Sequence, residues 1–166
     1  MKSDRALVAH LMRRAGFGAT PAELDTLAQE QTYEDIVENL VNPERFEELD
    51  EAYIDRYYSG EPVALHVGKW LYRMVNTRRP LEEKMALFLH HIFPVAWGKS
   101  EHGPSLYTEI AMFRRVGLMD MKTILLELSR DPAMIYWLDQ QTNHKEEVNE
   151  NYGRELLELF SMGRGN

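Results

Sequence analysis

Cysteine is absent from this chain of 166 residues. That excludes disulfide cross-links, a thiolate nucleophile and cysteine-ligated zinc or iron–sulfur centres, and it leaves the redox compartment unreadable. An excess of positive charge is also lacking: 27 Asp and Glu stand against 19 Lys and Arg, a formal net charge of -8. Affinity for a phosphate backbone comes from clustered Lys and Arg, so this balance argues against DNA or RNA as the main ligand. No apolar run approaches the roughly 18 residues that a membrane span needs, and the opening MKSDRALVAHLMRRAGFG has no apolar signal-peptide core. GxGxxG, Walker, GxSxG and EF-hand patterns are missing as well, as is any basic–aromatic nucleic-acid pattern.

What is present is a hydrophobic content of 44%, enough over this length for one packed core. Charge is unevenly spread. Residues 1–60 are net -7, residues 61–100 net +3 and residues 101–166 net -4. The middle forms a basic island of Lys69, Arg73, Arg78, Arg79, Lys84 and Lys99. Its simplest reading is internal complementarity with the acidic first third; the other is a docking patch for an acidic partner, sensitive to salt.

Apolar residues recur at helical spacing nearly everywhere, and no segment alternates with period two between hairpin signals. The prediction is an all-α fold, an irregular bundle of about nine or ten short helices in a single helical domain over residues 1–166. The first helix starts after Ser3 with Leu7, Leu11 and Ala15 on its apolar side; Gly16 is the expected left-handed terminator and Phe17 packs back on the last turn. Thr20, Pro21 and Glu23 spell a capping box with proline at the first helical position, and Thr32 with Asp35 repeats it more weakly before Asn42-Pro43 stops the third helix. Phe46, Leu49, Tyr53 and Tyr57 predict an amphipathic helix over 44–58, and Val63, Val67, Trp70, Leu71 and Met74 mark the next.

Pro80 opens a helix whose core face is predicted to hold Leu81, Met85, Phe88 and Ile92, with Glu83 and His90 nearly opposite. A loop is expected over 97–104, then helices over 105–116, 120–130 and 132–138, the last capped by Asp131. The polar stretch DQQTNHKEEV leads to a final helix over 149–162, ended by Gly163. Met74, Met85, Met112 and Met134 fall in apolar stripes and read as core packing.

Candidate chemistry gathers in two places. His90 is a candidate general acid or base, for which a partner must come from elsewhere in the fold. Glu83 lies two turns from it and His91 points about 100° away, so this helix carries no metal pair and no metal or cofactor is assigned. The final helix sets Tyr152, Leu156, Leu159 and Phe160 on an apolar arc and Asn151, Arg154, Glu155 and Glu158 on the other side. Arg154 is spaced to pair with Glu150 or Glu158. On a solvated face these are ordinary helix charges; turned into a cleft, two carboxylates held by one guanidinium separate into an acid and a base. Asn143, His144, Asn149 and Glu150 in and after the preceding loop are candidate binding residues, although capping and turn chemistry also explain Asn149 and Asp139.

Together the segments HLMRRAGFGATPAEL, RPLEEKMALFLHHIF, LLELSRDPAMIYWLD and NENYGRELLELFSMGRGN resemble the bacterial family catalogued as domain of unknown function eighteen hundred, over essentially the whole chain. The resemblance implies a largely helical protein, often exported, with no established activity, of which this chain is expected to be an N-terminal portion. It transfers no catalytic role. By position, His90 and the group Asn149, Glu150, Asn151, Arg154, Glu155 and Glu158 match polar parts of the family motifs. Where the family pattern suggests Trp-His-Asn-His-Phe, this chain has Leu89, His90, His91, Ile92 and Phe93.

Two functional readings follow. One is a scaffold or interaction module of a longer chain, with a protein partner or self-association through the last helix. The other is a hydrolase-type enzyme built on His90, Arg154, Glu155 and Glu158.

Overall fold

The computed structural model describes residues 2–163. Among them are eleven α-helices and no strand. They are α1 (Arg5–Ala15), α2 (Pro21–Glu30), α3 (Tyr33–Val41), α4 (Glu51–Asp55), α5 (Val63–Asn76), α6 (Pro80–Ile92), α7 (Trp97–Ser100), α8 (Gly103–Val116), α9 (Met121–Leu128), α10 (Pro132–Trp137) and α11 (Asn151–Glu158). The chain divides into two compact units: everything up to Ser59 with Val67–Met85, and Gly60–His66 with everything from Ala86 onward.

In the first unit the helix starts are local chemistry. The Asp4 carboxylate accepts from the Ala6 and Leu7 amides, and both Thr20–Glu23 and Thr32–Asp35 close complete capping boxes. Thr20 holds the Glu23 carboxyl below its ordinary pKa by backbone and side-chain hydrogen bonds. Val8, Leu24, Ala28, Ile36 and Leu40 form the core, with Leu11, Met12, Ala15 and Leu81 against it. On α1 the predicted Leu11 and Ala15 do pack against this core, but Val8 is sealed where Leu7, 57% exposed, was expected. Gly16 is not the left-handed residue either; that conformation falls on Gly18, at φ 101°. Phe17 stays exposed, with the Lys84 ammonium 4.9 Å from its ring centroid.

The helix predicted over 44–58 forms only as a 3-10 turn at Pro43–Arg45 and the short α4, capped by Asp50. Its acidic residues serve another purpose. Lys69 Nζ lies 2.9 Å from Glu51 and 2.5 Å from Asp55, Arg73 pairs with Glu51 and, at 2.9 Å, with Glu83, and Arg79 reaches Glu48 and the Phe46 carbonyl. Lys69, Arg73 and Glu83 are all buried. Much of the basic island is thus matched internally by the acidic first third.

This network inverts α5. Lys69 and Arg73 are inside, while Val67, Leu71 and Val75 are 51%, 56% and 81% exposed. It also rephases α6, where Glu83, Ala86 and Leu89 are buried and Phe88, predicted to face the core, is 53% exposed. The reason is that PLEEKMALFLHHI has apolar residues nearly all round, so its periodicity offers more than one inner face, and the partners of Glu83 select among them.

In the second unit Phe93 stacks near Phe113 and meets Phe160 edge-on at 5.0 Å. Ile110, Met112, Val116, Ile124, Leu128, Ala133 and Met134 are buried. Met112 and Met134 thus lie in the core as predicted, whereas Met74 and Met85 are half-buried. The expected loop over 97–104 contains α7, and α8 begins already at Gly103. A β-carbon there would lie 2.7 Å from the Glu61 carbonyl oxygen, which requires glycine. The imidazole Nδ1 of His102 caps α8 by accepting from the Ser105 amide. Asp120 and Asp131 cap α9 and α10, as proposed for Asp131. The final helix is shorter than predicted, Asn151–Glu158, although Gly163 does take a positive φ of 82°.

Candidate functional site

The chemistry of the second unit centres on one pair that spans α6 and α8. On α8, Met112, Phe113 and Val116 make an apolar stripe, and the same stripe continued one turn back passes through Glu109. Its neighbours carry Glu109 inside, with 0% exposure. There Oε2 lies 3.3 Å from His90 Nδ1, and the His90 side chain is 31% exposed. The other oxygen, Oε1, is buried and has no hydrogen-bond partner among the described residues.

The electrostatics follow from that setting. Burial pushes the Glu109 carboxyl up to about 7; the hydrogen bond and charge of His90 pull it back, and the charge of Asp131 pushes it further up. Asp131 is itself raised by burial, offset by the Ala133 and Met134 amides it accepts from. A carboxyl that exchanges its proton near neutrality therefore touches a histidine that reaches solvent.

Sequence reasoning named His90 but missed Glu109. The signal was available: extrapolating the Met112–Phe113–Val116 stripe backwards meets an acid where an apolar residue is expected.

The other candidates lie around the loop and α11. Asn149 is the organiser: its side-chain amide donates to the Asp139 carbonyl at 2.9 Å and to Thr142 Oγ1, its backbone N–H donates to Asn143 Oδ1, and its Oδ1 accepts from the Asn151 amide. His144 is exposed, with Nδ1 donating to the Thr142 carbonyl and Nε2 3.6 Å from Glu147. Glu150 occupies the cap position of α11 without a side-chain cap bond. Arg154 is exposed and donates to Asn151 Oδ1 at 3.0 Å, the residue one turn back, where a pair with Glu150 or Glu158 was expected. Glu155 and Glu158 are half-buried, and Glu155 Oε2 is buried without a hydrogen-bond partner among the described residues. The structure thus brings Asn143, Asn149 and Asn151 into one loop-and-cap network, and gives His90 a partner from α8.

The apolar arc drawn for the last helix is divided: Tyr152, Leu156 and Phe160 are half-buried, while Leu157, Leu159 and Met162 are 55%, 57% and 59% exposed. Among the described residues no three His, Asp or Glu side chains gather as a metal-holding group, and no helix is long and apolar enough to cross a membrane.

Comparison with curated proteins and with solved structures finds no match. A family model described as "Protein of unknown function (DUF1800)" matches residues 10–166, nearly the whole chain, and it is to this family that the chain belongs.

Proposed function

We propose that the chain is an interaction module of a helical protein, receiving an apolar helix of a protein partner along the outer edge of α5. The observation that supports this is the inversion of that helix. Val67, Leu71 and Val75 stand one turn apart in a solvent-facing row, while Lys69 and Arg73 occupy the buried side. Covering aliphatic surface stabilises by about 25 cal/mol per Å². The fold leaves half or more of each of these side chains in water, so the row is available to a partner helix.

The interface is apolar and not electrostatic, because Lys69, Arg73 and Arg79 are already matched inside their own unit. Association through it is expected to hold or strengthen as salt rises. Sedimentation velocity over a concentration series tests this, with self-pairing of the row standing in for the partner. The wild-type chain is expected to self-associate, and the doubly substituted L71E/V75E chain to remain monomeric with stability within about 0.5 kcal/mol of wild type. A wild-type chain still monomeric at about 1 mM, where association is weaker than roughly 4 kcal/mol, contradicts the proposal.

A further inference from the structure

The acids of the first unit match Lys69, Arg73 and Arg79 but leave other cations without an ion pair among the described residues, and four of these border one junction. The C-terminal end of α1 abuts the start of α6: a β-carbon on Gly16 would lie 3.1 Å from Pro80 Cβ. Arg13 and Arg14 occupy the last turn of α1, Arg78 stands shortly before Pro80, and Lys84 lies one turn into α6 with its ammonium 4.9 Å from the Phe17 ring centroid. Arg13, Arg14 and Arg78 are exposed, Lys84 is half-buried, and Phe17 keeps 41% of its surface in water. The acids closest along the chain are engaged: Glu23 closes the capping box with Thr20, Glu82 lies 3.9 Å from Arg79, and Glu83 is buried against Arg73. Stability does not explain the group as a whole. Arg13 and Arg14 complement the negative end of α1, but Arg78 precedes the positive end of α6, where a cation is disfavoured.

We infer that the junction of α1 and α6 is a docking surface for a short acidic segment of a protein partner, its Asp and Glu carboxylates received by Arg13, Arg14, Arg78 and Lys84 around the Phe17 ring. Guanidinium forks match carboxylates through paired hydrogen bonds, and the exposed aromatic ring gives the backbone of such a segment an apolar rest. The rest of the chain sets the size of the occupant. Its formal net charge is -8, and the fields of exposed charges fade over about 8 Å at physiological salt. A segment no larger than the patch meets chiefly its cations. An anionic membrane or a nucleic acid extends past the patch and is repelled by the acidic remainder. This surface is distinct from the apolar row of α5, and salt tells the two apart: binding at the cations weakens as salt rises, whereas association through the row holds or strengthens.

The test is a titration of the nitrogen-15-labelled full chain with a hexaglutamate peptide, followed by proton–nitrogen correlation spectra. Saturable shifts are expected at Arg13, Arg14, Phe17, Arg78 and Lys84, with affinity falling at least about tenfold between about 20 and 200 mM sodium chloride. The R13Q/R14Q chain is expected to bind about tenfold more weakly and Lys84→Gln about threefold, as two and one exposed ion pairs are lost. K122Q/K145Q removes the same two charges from exposed positions of the second unit and is expected to keep the wild-type affinity. The spectra also show whether each variant is folded, and the location of the wild-type shifts stands without any variant. The inference is overturned if nothing moves up to about 1 mM peptide, or if the shifts gather away from the junction. It is equally overturned if R13Q/R14Q binds as well as wild type, if K122Q/K145Q loses as much, or if phosphatidylserine vesicles or an oligothymidylate of equal charge bind more tightly than the peptide.

Discussion

Glu83 of the first unit and Glu109 of the second are 1% and 0% exposed, and each sits on a long helix among buried neighbours. Glu83 lies 2.9 Å from the Arg73 guanidinium and accepts from the Trp70 indole N–H. Glu109 has a half-buried histidine on one oxygen and no hydrogen-bond partner on the other among the described residues. A guanidinium is charged at every working pH, so the first arrangement is a permanent structural tie. A histidine is not, so the second leaves a proton free to move. The difference separates a charge that holds the fold from a carboxyl that can change its protonation near neutrality.

The sharpest way to break this comparison is to remove the guanidinium. Arg73→Ala strands the buried Glu83, while Glu51 keeps Lys69, and is expected to cost about 3–5 kcal/mol in urea unfolding, the penalty for an uncompensated buried charge. A loss near zero would make Glu83 no more structural than Glu109.

Next in size is the pH dependence of the second unit. The folded-state pKa of Glu109, about 7, lies above the ordinary value of 4.5, so between them the folded chain holds a proton that the unfolded chain has released. Stability must then fall as pH rises through that interval and level off above it, by about 3 kcal/mol in all. Glu109→Gln has no such proton and is expected to remove the slope, becoming more stable than wild type above neutrality. Stability that rises with pH over the interval in wild type but not in the variant would reverse the assignment.

The helix caps sharpen the comparison at smaller scale. Asp131→Ala removes a buried carboxylate that accepts two amide protons and is expected to cost about 2 kcal/mol, whereas Thr20→Ala, at an exposed capping box, is expected to cost about 1 kcal/mol. Thermal unfolding of the two variants, each against wild type, checks the order.

Legibility in the sequence followed the range of the interactions. Thr20 with Glu23, Thr32 with Asp35 and Asp131 with Pro132 were readable because cap and helix start lie within a few residues of each other. The internal use of Lys69 and Arg79 was readable from the segregation of charge along the chain. The outer residues of the last helix were not readable: of the arc Tyr152, Leu156, Leu159 and Phe160 only Leu159 is exposed, beside Leu157 and Met162. The inner faces of α5 and α6 were not readable, and that of α1 only in Leu11 and Ala15, because each carries apolar residues on more than one side. Glu109 escaped because a lone acid between Thr108 and Ile110 looks like any solvated helix charge until the helix is docked.

The sequence by itself determined where the helices capped by Thr20, Thr32 and Asp131 begin, that strands would not compete, and that much of the charge would be matched within the chain. Each depends on neighbours along the backbone or on bulk composition. Tertiary structure alone decided which flank of a helix goes inside, and hence that Val67, Leu71 and Val75 remain in water, that Glu83 is tied to Arg73, and that His90 meets Glu109. Those outcomes depend on desolvation and pairing between side chains brought together from separate helices, and no periodicity within one helix encodes them.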